Sequence, residues 1–338
     1  MSIPTSHSLP KRTTQLTVCI VLCLLVLALA LLAMSVGAVS MPLKQVFAGL
    51  FGGPDQFIIQ QYRLPRVVIS GLAGASFAVA GLFLQAALRN PLASPDIVGV
   101  TKGAGLGALL VVIFVPPALQ VWAIPAGVIL GAIIATALLL FVARALGGGI
   151  TTLALIGVAI GALAQAVMYY LMVSYPNSAD QSMVWLAGSV YGSTQSDIGF
   201  LSLWLLVSLP LTLWIACSLD LAAFGDDTLT GLGLSGQRLR LALIGGAVIL
   251  TAGAVASVGS IGFLGLLAPH IARLMVGPRA TYLVPATILV GALALMLADF
   301  LGRIIALPNE IPAGIVTSII GGPYLLFLLV WEGRRHDS

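Results

Sequence analysis

Charge is what this 338-residue chain has least of: Lys, Arg, Asp and Glu make up 8% of it, where a soluble domain carries roughly 25%. A water-facing surface cannot be assembled from so few charges, which excludes a soluble enzyme. Histidine and acids are scarce too. His7, His270 and His336 lie far apart, and Asp299 is the only acid well inside an apolar run. Membrane enzymes and proton-coupled carriers place such groups in clusters facing a cavity, so both classes are disfavoured. Three cysteines, Cys19, Cys23 and Cys217, form no CxxC pair and read as small apolar packers. The chain has no GxxxxGK[ST], HExxH or EF-hand loop. It is therefore expected to bind no ATP through a P-loop and to hold no metal or other cofactor of its own.

What fills the chain is apolar sequence, 59% of it, with 38 glycines scattered through Leu, Ala, Val and Ile runs. Transmembrane helices use glycine in this way to approach one another closely, so the glycines do not signal disorder. A span needs roughly 20 apolar residues, and ten stretches qualify: 16–37, 63–88, 97–115, 120–145, 150–174, 198–218, 238–257, 262–276, 282–304 and 312–331. The first exceeds the roughly 7 to 15 residues of a signal-peptide core and is expected to be an uncleaved span. Pro176 to Thr194 could hold a short helix around Met183 to Ala187, too short to cross. The fold class is thus an all-α polytopic membrane protein with ten transmembrane helices, one domain over residues 1–338, with tails at 1–15 and 332–338.

An even number of spans puts both termini on one side, and the basic residues say which. Lys11, Arg12, Arg89, Arg144, Arg238, Arg240, Arg273, Arg279, Arg334 and Arg335 fall with the termini; Lys44, Arg63, Arg66 and Arg303 fall opposite. Both tails are therefore expected in the cytoplasm. The formal net charge of +4 reports this orientation and not a nucleic-acid partner. Asp299 and Arg303, four apart on a helix, can pair. Lys102, in TKGAG near a span's cytoplasmic start, can snorkel to the interface.

Two further features need explaining. Leu219 to Arg240, LDLAAFGDDTLTGLGLSGQRLR, is polar and longer than a plain connection of a few residues. It reads as one or two short surface helices, with Asp226 starting a turn and Gly231 or Gly233 ending it, and its structured length suggests a docking surface. The backbone is also broken: by Asn90, Pro91 and Pro95 in RNPLASPDIVG, by Pro269 ending a Gly-punctuated short span, and by Pro308, Pro312 and Pro323. Irregular backbone at membrane depth is tolerated where it is buried in protein or lines a watery cavity, which points to a transport pathway.

RLPR at 63–66, GAxxAVAGxxxQ at 74–85, RNPLASPDIVGV at 89–100, GSIGFLGLLAPHIAR at 259–273 and ADFLGRIIALPNEIPAGIVTSIIGGPYLLFLL at 298–329 resemble the FecCD permease family. These are the transmembrane subunits of type II ABC importers for iron siderophores, haem and vitamin B12. The resemblance implies the type II importer permease fold, a second permease subunit as identical or paralogous partner, an extracytoplasmic substrate-binding protein, and a separate ATPase subunit that binds ATP and Mg. It implies that Gly225, Asp226, Asp227, Thr228, Leu229, Leu232 and Gly233, within 219–240, couple to that ATPase. It likewise implies that Arg63, Arg66 and Arg303 dock the binding protein, and that Asn90, Leu92, Thr151 and Thr152 form a cytoplasmic gate. Spans nearly devoid of Cys, His and carboxylate cannot strip a bare metal ion. The expected cargo is an intact ferric chelate, a siderophore complex or ferric citrate, with vitamin B12 or haem as the alternative, carried across a bacterial cytoplasmic membrane.

Overall fold

In a hydrocarbon medium every backbone N–H and C=O must find its partner within the protein, and a helix does this within one segment. The computed structural model, which describes residues 12–37, 40–147, 150–224, 226–306 and 309–336, is helical throughout, with no strand among the described residues. In chain order the helices are α1 (Arg12–Ser35), α2 (Leu43–Leu50), α3 (Gln56–Ile58), α4 (Leu64–Ala87), α5 (Val100–Phe114), α6 (Pro117–Ala145), α7 (Ile150–Ser174), α8 (Ala179–Leu186), α9 (Gln195–Cys217), α10 (Leu219–Ala222), α11 (Asp226–Gly231), α12 (Gly236–Val258), α13 (Leu264–Val276), α14 (Ala280–Ile305) and α15 (Ala313–His336). A π-helical turn at Ile59–Arg63 joins α3 to α4.

Each of the ten expected segments carries a helix. Among the described residues seven are long and apolar enough to cross a membrane, and α5, α13 and the apolar part of α15 are shorter. The protein is a multi-pass membrane protein. Helix α13, at 13 residues, reaches about 20 Å at 1.5 Å per residue, short of the roughly 30 Å hydrocarbon core. Some expectations fail. Pro269 does not end α13 but lies within it, and Pro323 lies within α15; Pro312 does mark a helix start, and Pro308 lies outside the described residues. A membrane helix tolerates an internal proline because neighbouring groups re-satisfy the freed carbonyl. The helices also run into the expected tails, α1 from Arg12 and α15 to His336. Cys23 and Cys217 are exposed on this chain, so neither packs its interior.

Lipid tails are as apolar as leucine, so hiding leucine from lipid gives helices no reason to associate; close van der Waals contact does. Glycine supplies it here. Helix α4 is the central rod, with Phe77, Phe83 and Leu84 fully buried, packed against α12, α13 and α14. A methyl group on Gly81 would overlap the backbone of Gly265 in α13, and one on Gly74 would overlap Gly291 in α14. Helices α5 and α6 interlock the same way, Gly103 and Gly107 of one facing Gly127 and Gly131 of the other, a pair of opposed GxxxG stretches. Around this centre α1, α6 and α9 present mostly exposed apolar faces.

The contact makes a contrast available. Gly245 of α12 has open space where a methyl group would go, so Gly245→Ala should leave the melting temperature of the detergent-purified protein unchanged or raise it slightly, by helix propensity. Gly81→Ala forces α4 away from α13 and should cost about 1–3 kcal/mol or more, visible as an earlier melt followed by size-exclusion fluorescence. Equal melts for the two variants would refute backbone contact at Gly81.

Candidate functional site

At the end of the bundle where α4 begins and α14 ends, three arginines and two carboxylates meet. The carboxylate of Asp299, 3% exposed, accepts from Arg66 through Nε at 2.9 and 3.0 Å and through Nη2 at 2.8 Å, and lies 3.2 Å from Nη2 of Arg303. The outer edge of Arg66 turns to Glu310, Nη2 to Oε2 at 2.8 Å, with its guanidinium 5.8 Å from the ring centre of Tyr191. Arg303 also donates to the Ala33 carbonyl at 3.1 Å. Arg63 donates to the carbonyls of Met34 and Ser35 at the end of α1. The expected Asp299–Arg303 pair therefore exists, but Asp299 is shared with Arg66. Spacing along a helix could suggest the first contact; nothing local signals the second, which spans 233 residues.

The opposite end holds the segment between α9 and α12. It contains two short helices, α10 and α11, and Gly233 at φ +74° closes α11 in the left-handed conformation that glycine adopts freely, with the Leu234 N–H returning to the Leu229 carbonyl at 2.8 Å. Leu229 is buried while Leu232 is 61% exposed and Thr228 is exposed; Leu229 anchors the segment against the bundle and Leu232 presents itself outward. Gly225 lies outside the described residues, as do the side chains of Asp226 and Asp227. Two polar contacts fix the segment that sequence reasoning missed. Asp220 accepts the Ala280 N–H at 2.9 Å, satisfying an orphan donor at the start of α14, and Arg89 donates to the Phe224 carbonyl at 2.7 Å.

Arg89 opens the connection between α4 and α5. Its φ of +42° is uncommon for a residue with a side chain, and the chain turns there at once: the Asn90 N–H returns to the Gln85 carbonyl at 3.1 Å, and Asn90 Oδ1 accepts from the Leu92 N–H at 2.9 Å. Leu92 packs against the cluster of Leu266, Leu267 and Leu328. Asn90 and Leu92 thus form one local unit. Thr152 stands in the first turn of α7, with no hydrogen bond linking it to Asn90 among the described residues, and the Thr151 side chain lies outside them.

A cleft of about 570 Å³ opens between α5, α7, α8, the chain before α13, and α15. Its wall is apolar apart from Asp96, Thr101, Lys102, Gln165, Ser260 and Ser318. Lys102, expected to reach toward the interface, faces this cleft. Its chain lies along Gly161, near the middle of the 25-residue α7. Among the described residues no three of His, Cys, Asp and Glu come together.

Removing the shared carboxylate should be more damaging than removing its outer neighbour. Asp299→Asn leaves the buried Arg303 guanidinium without an anion and Arg66 with Glu310 alone, a change that costs about 3–5 kcal/mol, whereas Glu310, half-exposed, contributes on the scale of a surface pair, about 1 kcal/mol or less. A melt that drops sharply in Asp299→Asn and little in Glu310→Gln is expected; the reverse order would contradict the arrangement.

Comparison with known proteins agrees with this architecture. The FecCD transport family matches residues 24–331. The chain is 44% identical to the Fe(3+)-citrate import system permease protein YfmE of Bacillus subtilis, over 96% of this chain and 98% of that one. It is 38% identical to the Fe(3+) dicitrate transport system permease protein FecD of Escherichia coli, over 89% and 94% of the two chains. Among solved structures, an inward-facing metal-chelate type ABC transporter superposes with a TM-score of 0.83 at 30% identity, covering 94% of this chain and 99% of that one. With a family match over residues 24–331 and relatives of this identity over almost the whole length, the chain belongs to the FecCD transport family.

Proposed function

We propose that this chain is the permease subunit of an ATP-binding cassette importer that carries an intact iron(III) chelate, a siderophore complex or ferric citrate, across a bacterial cytoplasmic membrane. The observation that carries the reading is the near full-length similarity to ferric citrate permeases. In this reading the ten helices all cross or enter the membrane as one domain, both tails are cytoplasmic, and a second permease subunit, identical or paralogous, completes the pathway. The chain performs no covalent chemistry; a partner ATPase binds ATP and Mg and hydrolyses the nucleotide.

The geometry gives each proposed role a physical basis. Residues 219–240, including Gly225, Asp226, Asp227, Thr228, Leu229, Leu232 and Gly233, receive the ATPase, with the exposed Leu232 as the contact and the buried Leu229 as the anchor. Asn90 and Leu92, with Thr151 and Thr152, close the cytoplasmic end, Leu92 supplying a dry plug and the polar groups bonding backbone when shut and water when open. Arg63, Arg66 and Arg303 form the outer rim met by the binding protein. Charge complementarity at such a rim sets encounter rate and register with a partner's carboxylates. A wall with few Cys, His or carboxylate groups favours passage of a chelate over handling of bare iron.

The docking role separates cleanly from stability. Leu232→Asp should lower the amount of ATPase that co-purifies by about tenfold, as loss of an interface anchor does, without moving the permease melt, while Leu229→Ala should lower the melt as well. Full ATPase recovery with Leu232→Asp would remove Leu232 from the interface. Uptake of labelled ferric dicitrate, dependent on ATP and on the binding protein, tests the function itself.

A further inference from the structure

Lys102 is the one cation in the wall of the cleft among the described residues, and its position is unusual in three respects. It stands in the first turn of α5, half-buried, and it forms no hydrogen bond or ion pair among the described residues. It also lies against the middle of α7, its Cδ 3.3 Å from where a methyl group on Gly161 would stand and its Nζ 4.0 Å from the same point. Gly161 leaves a notch in α7 in which the lysine stem lies. Charge inside a membrane protein is costly and is retained facing a partner or a watery path. The buried Asp299, by contrast, takes Arg66 and Arg303.

The acid that shares the wall does not pair with this charge. Asp96 and Lys102 do not approach within ion-pair distance, whereas Asp96 Oδ2 lies 3.5 Å from the Phe263 N–H, at the entry to α13. That helix end carries positive partial charge from its unsatisfied N–H groups, which favours a carboxylate there. What the cleft offers a passing molecule is therefore one ammonium with hydroxyl and amide neighbours, Thr101, Gln165, Ser260 and Ser318.

We infer that Lys102 is a specificity-determining residue of the pathway, a transient contact for the negative face of an anionic, carboxylate-bearing ferric chelate as it passes the cleft. The assignment rests on the permease reading above and adds to it the charge class of the cargo. A lysine suits the task because its ammonium is a compact charge on a flexible stem with three donors, able to accompany a ligand over several ångströms without a fixed geometry. The contact must be weak, since a pathway residue has to release what it attracts.

The test uses the complete importer, with both permease subunits, ATPase and binding protein, in proteoliposomes. Iron-55 ferric dicitrate uptake and ATP hydrolysis are measured together. Lys102→Gln should deliver about tenfold less iron per ATP, the equivalent of about 1.4 kcal/mol, with binding-protein-stimulated hydrolysis and the melt unchanged. Lys102→Arg, which keeps the charge on a similar stem, should stay within about threefold of the wild type. Lys102→Met is the second neutral variant, used if the glutamine protein does not assemble. Wild-type iron delivery by the neutral variants, or equal losses in the neutral and arginine variants, would overturn the assignment while leaving the ferric chelate function standing. A wild-type importer that moves cobalamin and no ferric dicitrate would overturn both.

Discussion

A medium without water leaves no backbone polar group free to go unpaired, and the rest of this structure follows from that constraint. It makes the long segments helical, and it also decides where they can be interrupted. The Ser189 N–H bonds the Val258 carbonyl at 2.9 Å and the Gly314 N–H bonds the Gly188 carbonyl at 2.9 Å, so the loop after α8 is tied to the end of α12 and the start of α15. The Thr101 N–H reaches the Pro95 carbonyl at 3.2 Å, and Asp96 faces the chain before α13. These breaks gather around one cleft, where irregular backbone is sheltered by its neighbours and polar side chains have a place to face.

The same medium sets the cost of charge, and the chain meets it differently at its two ends. On one side Asp299 sits between Arg66 and Arg303, in a network that would be costly to break and whose net contribution to stability need not be large. Its more evident effect is positional: through Arg303 it holds the end of α1 at Ala33, and through Arg66 it gathers the start of α4, the end of α14 and Glu310. On the other side single charges meet backbone groups, Asp220 at the start of α14 and Arg89 at Phe224. One end is thus locked by ion pairs among side chains, the other pinned by separate bonds.

The helices were legible because each is encoded locally, by an apolar run with Gly, Pro or charge at its ends. Even α8 and the two helices of residues 219–240 could be anticipated from composition. Pro269 and Pro323 misled because a rule for helices in water was applied where competing solvent is absent. The sites were legible only where their parts are close in sequence: Asp299 with Arg303 four residues on, or Asn90 with Leu92. Asp299 with Arg66 and Asp220 with Ala280 join distant segments, and a single sequence carries no sign of such pairs. Lys102, near a helix start, looks able to snorkel, while its place along Gly161 in the middle of α7 is set by packing between helices and has no local sign.

The segment from Arg89 to Gly99 connects these observations. One end bonds Phe224 in the proposed ATPase-docking segment; Leu92 packs on the α13 and α15 cluster; Asp96 forms part of the cleft wall; and Gly99, at φ +86°, delivers the chain into α5 three residues before Lys102. Gly99 needs its missing side chain as well as its φ, because the backbone of Gly157 and Gly161 in α7 leaves no room for a methyl group. Eleven residues, braced by a strained arginine at one end and a glycine at the other, thus span the distance from the docking surface to the cleft. With one end bonded to Phe224 and the other entering α5 beside the cleft, the segment is the shortest run of chain that joins the two regions.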